Sequence, residues 1–275
     1  MKFMKKTCLI GIALLVIGLV GIIPGILHRS YDPTAAVTEH RFRIHHQGSF
    51  DRIRVDSKVP VSISMGKHLR VTGKTWVHHV HVRVRHHQLQ ILDNSWLNHL
   101  SNFQIGPASY NAGQIKVEVP RRDKIKQLRA DSGLILNNMK IKKINWRDSD
   151  DDFDLNRVQT DRLTANGKNG DMKIAHCRLG LSWLRDTNGD VSLIHDHWQK
   201  LNGYDDDGDF DVVDPIFQQP SLLSTHNGDL TVHGLSQSIR VRGHSQSGDF
   251  NNYHESQRRA VPFKLISDDG DVNVH

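Results

Sequence analysis

The chain of 275 residues carries only two cysteines, Cys8 and Cys177. Cys8 opens an apolar run near the amino end, so no disulfide forms in the rest of the chain, which must hold itself together by burial and strand pairing. A lipid-attached cysteine should follow such a run, which argues against lipidation. No Gly-x-Ser-x-Gly nucleophile motif, ordered calcium loop or nucleic-acid motif is present. Neither is Leu-x-x-Leu-x-Leu or Gly-Gly-x-Gly-x-Asp, which excludes a leucine-rich repeat and a calcium-binding nonapeptide coil. A Leu-Pro-x-Thr-Gly wall signal is also missing, so attachment to a cell surface is expected from the amino end alone.

What the chain does have is a period. Gly-Asp recurs at Gly170-Asp171, Gly189-Asp190, Gly208-Asp209, Gly228-Asp229, Gly248-Asp249 and Gly270-Asp271, in steps of 19, 19, 20, 20 and 22 residues. A repeat near twenty residues marks a solenoid, in which each unit buries its apolar face only by stacking on its neighbours. Two and four residues after most glycines stand apolar side chains: Met172 and Ile174, Val191 and Leu193, Phe210 and Val212, Leu230 and Val232, Val272 and Val274. That alternation is a strand with one buried face. The glycine, following Asn, Asp or Ser, reads as a turn residue with positive φ.

Degenerate copies extend the series backwards through Asp151-Asp152, Gly133 with Ile135, and Gly113 with Ile115 and Val117, for nine turns. A second apolar signal at Leu128, Leu163, Leu181, Leu201, Leu223, Val241 and Leu265 supplies another wall. The Gly248 copy, with Asn252 in an apolar place, is expected to be distorted.

The expected fold is all-β: a single-stranded parallel β-solenoid of about 19–20 residues per turn, right-handed by the crossover rule, with an N-terminal β cap and one preceding transmembrane helix. Residues 1–6 read as a short cytoplasmic tail and 7–27 as the membrane span. Residues 28–40 read as a linker, 41–111 as the cap and first turns, and 112–275 as the Gly-Asp solenoid. Within 93–111, Trp96, Leu97, Leu100 and Phe103 read as a short helix or packed loop. The run Thr7 to Leu27 is about long enough to cross a bilayer. Lys2, Lys5 and Lys6 keep its start in the cytoplasm and place the remainder outside the cell. The alternative is a cleaved signal peptide, although no clear Ala-x-Ala site follows.

Charge divides along the chain. Residues 38–147 hold 20 Lys and Arg against 7 Asp and Glu, and residues 148–275 hold 12 against 22. A basic half beside the membrane suggests contact with anionic lipid or wall polymer. Ten of the 19 histidines lie in that half, so the attraction should strengthen in acid. His79 and His81 would share a strand face, and Asp148 to Asp154 or Asp205 to Asp211 could gather calcium. The simpler reading has the Gly-Asp carboxylates accepting turn amides, and no cofactor or metal is expected. Acids on adjacent turns would pair automatically, and no Arg, Lys or aromatic platform is visible beside them. That weighs against a polysaccharide-active enzyme.

The stretch Ser49-Phe50-Asp51-Arg52-Ile53-Arg54-Val55, then Val59-Pro60-Val61-Ser62-Ile63, then units such as Thr187-Asn188-Gly189-Asp190-Val191-Ser192-Leu193, resembles a bacterial family of membrane-anchored candidate adhesins. The likeness covers roughly residues 41–275. It implies an extracytoplasmic β-solenoid, associated in some relatives with envelope stress, and offers no catalytic or binding residues to carry over. The expected function is a non-catalytic surface protein that binds a cell-wall polymer, glycan or envelope protein, with anionic membrane as a further partner and nucleic acid excluded. A sensory or regulatory role in the envelope stress response is the alternative. Self-association is expected through the last turn, whose strand Val272-Asn273-Val274 reads as an open end.

Overall fold

The computed structural model describes residues 40–42, 44, 48–57, 59–73, 80–93, 114–120, 124–148 and 150–275. The chain divides into units Met1–Thr38 and Glu39–His275, and every described residue belongs to the second. The tail at 1–6, the span at 7–27, most of the linker, and the segment with Trp96 to Phe103 lie outside the described residues. Among the described residues no helix is long and apolar enough to cross a membrane.

Among the described residues two twelve-stranded sheets build the coil. Numbered in chain order, sheet I runs β1 (His40–Arg41), β4 (Arg70–Gly73), β7 (Ile115–Pro120), β3 (Val61–Gly66), β9 (Leu134–Asn137), β11 (Phe153–Asn156), β13 (Met172–Ala175), β15 (Val191–Ile194), β17 (Phe210–Val213), β20 (Leu230–His233), β24 (Val272–Val274), β22 (Phe250–Asn252). Sheet II runs β21 (Ile239–Ser245), β23 (Val261–Ser267), β19 (Ser221–Thr225), β16 (His197–Asp205), β14 (Arg178–Arg185), β12 (Gln159–Asn166), β10 (Ile141–Arg147), β8 (Ile125–Ala130), β2 (Arg52–Asp56), β6 (Gln88–Asp93), β5 (Val80–Arg85), with β18 (Ile216–Phe217) beside β16.

Each turn therefore contributes two strands, which corrects the single-stranded reading. The apolar pairs after each Gly-Asp do line one wall: Met172, Val191, Phe210, Leu230 and Val272 stack in register, fully buried. The second wall was harder to see because its alternation slips at the same place in every turn. Ile141 and Ile144, Thr160 and Leu163, Leu179 and Ser182, and Trp198 and Leu201 point inward with two outward residues between them. In β14 this turns Leu181 outward and puts Ser182 in the wall, correcting the inward placing of Leu181.

Two further corrections concern glycine. At the Gly133 copy, Leu134 pairs with Phe153, so Leu134 and Leu136 are the inward residues and Ile135 faces out. No Gly-Asp glycine among the described residues has positive φ. They are glycines because backbones crowd there: a Cβ on Gly189 would lie 2.2 Å from the carbonyl oxygen of Gly170, and one on Gly208 2.2 Å from that of Gly189. Positive φ belongs to the opposite corner, where Asn138, Arg157, His176, His195, Asp214 and Gly234 recur one per turn.

Chain order and spatial order differ at both ends. β2 and β3 form a complete turn lying inside the one made by β6 and β7. Among the described residues the antiparallel strands β1, β4 and β5 lie outermost at this end. At the far end β24 has partners on both sides, β20 and β22, so it is not the open strand expected of the last turn. The free edges belong to β21 and β22. The Gly248 turn is irregular because it is last in space, with Phe250 exposed and nothing stacked beyond it.

Candidate functional site

Outward residues of sheet II align in rows across successive turns. One row reads Arg83, Gln90, Arg54, Arg129, Asn145, Thr164, Trp183, Asn202, Leu222, Lys264, Arg242. A second reads Arg85, Gln88, Arg52, Gln127, Lys143, Arg162, Leu181, Lys200. A third, beside the Gly-Asp corner, holds Arg147, Asn166, Arg185 and Tyr204. The repeated slip that hides these strands also gives each turn an extra outward position, as at Lys142-Lys143.

Three carboxylates on this face are ion-paired, while Asp161 adds one more outward acid beside Arg162. Asp51 meets Lys126 at 2.7 Å, Asp56 meets Arg54 at 3.0 Å, and Asp131 meets Arg129 at 3.2 Å. The Lys126 ammonium holds the Asp51 carboxyl below its ordinary range. By contrast, an outward row of sheet I reads Lys116, Ser62, Ile135, Asp154, Lys173, Ser192, Asp211, Thr231, Asn273, with balanced charges and short side chains. The charge division of the sequence is thus overlaid by a division between faces. Arg162, Arg185, Lys200, Arg242 and Lys264 come from the acidic half of the chain yet extend the basic face.

Two hollows open on this side. One, of about 640 Å³, is lined by Arg147, Arg185 and Lys168 with Asn166, Asp131 and Asp148. The other, of about 390 Å³, is lined by Arg52, Lys126, Lys143 and His87 with Asp51 and Gln127. His86 and His87 form the two-residue turn joining β5 to β6, both with positive φ. Two large aromatics are exposed on the same sheet: Trp183, and Tyr204 with the Arg185 guanidinium 5.4 Å from its ring centre. The sequence shows no such platform, because Trp183 and Tyr204 are 21 residues apart in the chain and Arg185 meets Tyr204 only across turns.

The Gly-Asp corner is structural. Asp171 N donates to Asp152 Oδ1 at 3.1 Å, Asp190 N to Asp171 Oδ1, Asp209 N to Asp190 Oδ1, and Asp229 N to Asp209 Oδ1 at 2.8 Å. The carboxylates accept turn amides, as expected, and the bonds run from turn to turn. Just inside lies a buried polar column: Asp186, Asp205, Thr225 and Ser267. Burial pushes the Asp186 carboxyl up to about 6 and the Asp205 carboxyl up to about 7. On the other corner Cys177 N donates to Asp196 Oδ1 at 2.7 Å, and burial raises Asp196 to about 8. Rings of His176 and His195 stack at 5.2 Å, and His195 Nε2 lies 3.1 Å from Asp214 Oδ2.

Of the metal candidates, His79 lies outside the described residues. Among the described residues no group of three or more His, Cys, Asp or Glu is arranged to hold a metal ion.

Residues 50–275 match the family model described as Toastrack DUF4097, and the chain belongs to that family. No curated protein matches it. Solved structures share the fold at low identity. A candidate adhesin of Bacteroides fragilis is 8% identical with a TM-score of 0.53, covering 86% of this chain and 96% of its own. A candidate lipid-binding protein of Parabacteroides distasonis is 16% identical with a TM-score of 0.56, at the same coverage. A candidate adhesin of Parabacteroides merdae is 12% identical with a TM-score of 0.52, covering 86% and 95%.

Proposed function

We propose that this Toastrack protein is a non-catalytic binding module, displayed outside the cell from its apolar amino-terminal segment, that holds anionic polymers of the envelope on the outer face of sheet II. The carrying observation is the register that places Arg54, Arg129, Arg52, Lys143, Arg162 and Arg147 on one face, where the cations outnumber the outward carboxylates and Asp56 and Asp131 are already ion-paired. Such a face attracts a flexible polyanion over its whole length, and the attraction falls with added salt. The names carried by similar folds, adhesin and lipid-binding protein, agree with a role in adhesion at a surface.

Ten of the 19 histidines lie in residues 38–147, the stretch that supplies much of this face, so acid is expected to strengthen its attraction for polyanions. The test is binding of the full chain, held in nanodiscs of zwitterionic lipid, to wall teichoic acid over a salt series at about pH 5 and about pH 7.5. Binding that weakens with salt and strengthens in acid is the expected result. Absence of binding at low salt at both pH values overturns the reading.

A further inference from the structure

Trp183 is 42% exposed in the middle of sheet II, where it contributes little to the core. Thr164 and Asn202 flank it on the adjoining strands, and Leu181 and Arg185 lie two residues away on its own strand, facing the same way. Arg162 and Lys200 stand diagonally on either side of it, as partners of Leu181, and Tyr204 stands beside Arg185. With strands about 4.8 Å apart and same-face residues about 7 Å apart along a strand, all these groups lie within reach of one ligand seated on the indole.

The composition of the patch selects among polyanions. A ring-free chain such as polyphosphate would satisfy Arg162, Arg185 and Lys200 but leave the indole in water. A pyranose ring offers an apolar C–H face to the indole and hydroxyls at its rim to Thr164 and Asn202, while carboxylates on it match the planar fork of arginine. The Arg185 guanidinium is held over the Tyr204 ring, which limits the freedom it would lose on binding. The hollow lined by Arg147, Asn166 and Arg185 continues the track towards the Gly-Asp corner and leaves room for the next sugar.

Resting on the anion-binding face proposed above, we infer that the ligand is an acidic polysaccharide, with a sugar ring stacked on Trp183 and its carboxylates paired with Arg162 and Arg185. The test titrates the full chain in zwitterionic nanodiscs with polygalacturonate and, separately, with inorganic polyphosphate. Trp183→Ala should weaken polygalacturonate about tenfold, the loss of one aromatic anchor, and leave polyphosphate within about twofold. Trp183→Tyr, which keeps a ring, should recover most of the loss. Equal loss for both polymers, or no loss for either, overturns the stacking inference and leaves the basic face standing. Failure of the wild type to bind either polymer removes the anion-binding reading and this inference with it. A Trp183→Ala protein with unchanged affinities but an altered oligomeric state would assign the indole to contact with a second copy and overturn the inference.

Discussion

Asp205 and Thr225 occupy the same buried corner one turn apart and make the same first hydrogen bond. Asp205 Oδ1 accepts the Gly208 amide at 3.1 Å, and Thr225 Oγ1 accepts the Gly228 amide at 3.1 Å. Thr225 then uses its hydroxyl proton to donate to the Gly208 carbonyl at 3.2 Å. Ser267 repeats the pattern, accepting from Gly270 and donating to Gly228 O at 3.1 Å. Asp205 has a proton for the second bond only when its carboxyl is neutral. Its Oδ2, like those of Asp186 and Asp196, is buried without a partner among the described residues.

That difference predicts a pH-dependent stability. The folded pKa of Asp205 is raised to about 7, while the unfolded chain titrates near 3.8. Between those values the folded state binds a proton that the unfolded state has lost, so stability is full in acid and falls as pH rises through about 7. Asp186 and Asp196, raised to about 6 and about 8, act in the same sense. Asp205→Thr should stabilise the protein by roughly 1–4 kcal/mol at pH 8 and little at pH 4. Thermal melts of wild type and variant across that range give the result, and parallel curves would refute it.

A second prediction concerns the crowded glycines. Gly189→Ala places a Cβ 2.2 Å from the Gly170 carbonyl oxygen and 3.1 Å from Asp186 Oδ2, and should destabilise by about 2–4 kcal/mol or prevent folding. Gly48→Ala meets nothing within 4 Å and should change stability by less than about 0.5 kcal/mol. Denaturant melts compare the two.

Cys177 should be inert while the coil is folded. It is fully buried, its Sγ lies 3.2 Å from the Ala175 carbonyl, and burial pushes the thiol up to about 12. In a Cys8→Ser background, a thiol reagent at neutral pH should label Cys177 only after denaturant is added. Rapid labelling of the native protein would contradict the packing.

Self-association, if it uses the coil end, should run through β21 and β22. Phe250 and Tyr253 are 38% and 73% exposed there, beside unpaired strand edges. Asn252→Pro removes an outward-facing edge donor, since the alternate amides of β22, such as Tyr253 N to Val274 O, already face β24, and should shift sedimentation towards the monomer. A proline in the middle strand β24 should instead disturb the fold, since that strand is paired on both sides.

The repeat was legible because one element of each turn repeats a simple local pattern: glycine, aspartate, then two inward apolar residues. The second strand escaped because two adjacent outward residues, such as Asp161 and Arg162, interrupt its alternation in each turn, and a period-two search fails at an interruption. The glycines were seen but given the wrong reason, since their need arises between turns and positive φ falls on side-chain-bearing residues such as His195.

Read alone, the chain shows the all-β class, the length of the turn, the inward residues of most sheet I strands and the hydrogen-bonded aspartate ladder. These follow from local alternation and a constant step, which neighbouring residues encode. Tertiary structure decided which strands are outermost, why the glycines cannot be replaced, and which residues share the basic face. Arg147, Asn166, Arg185 and Tyr204 become one row only when turns stack in register, because lateral pairing joins residues far apart in the chain.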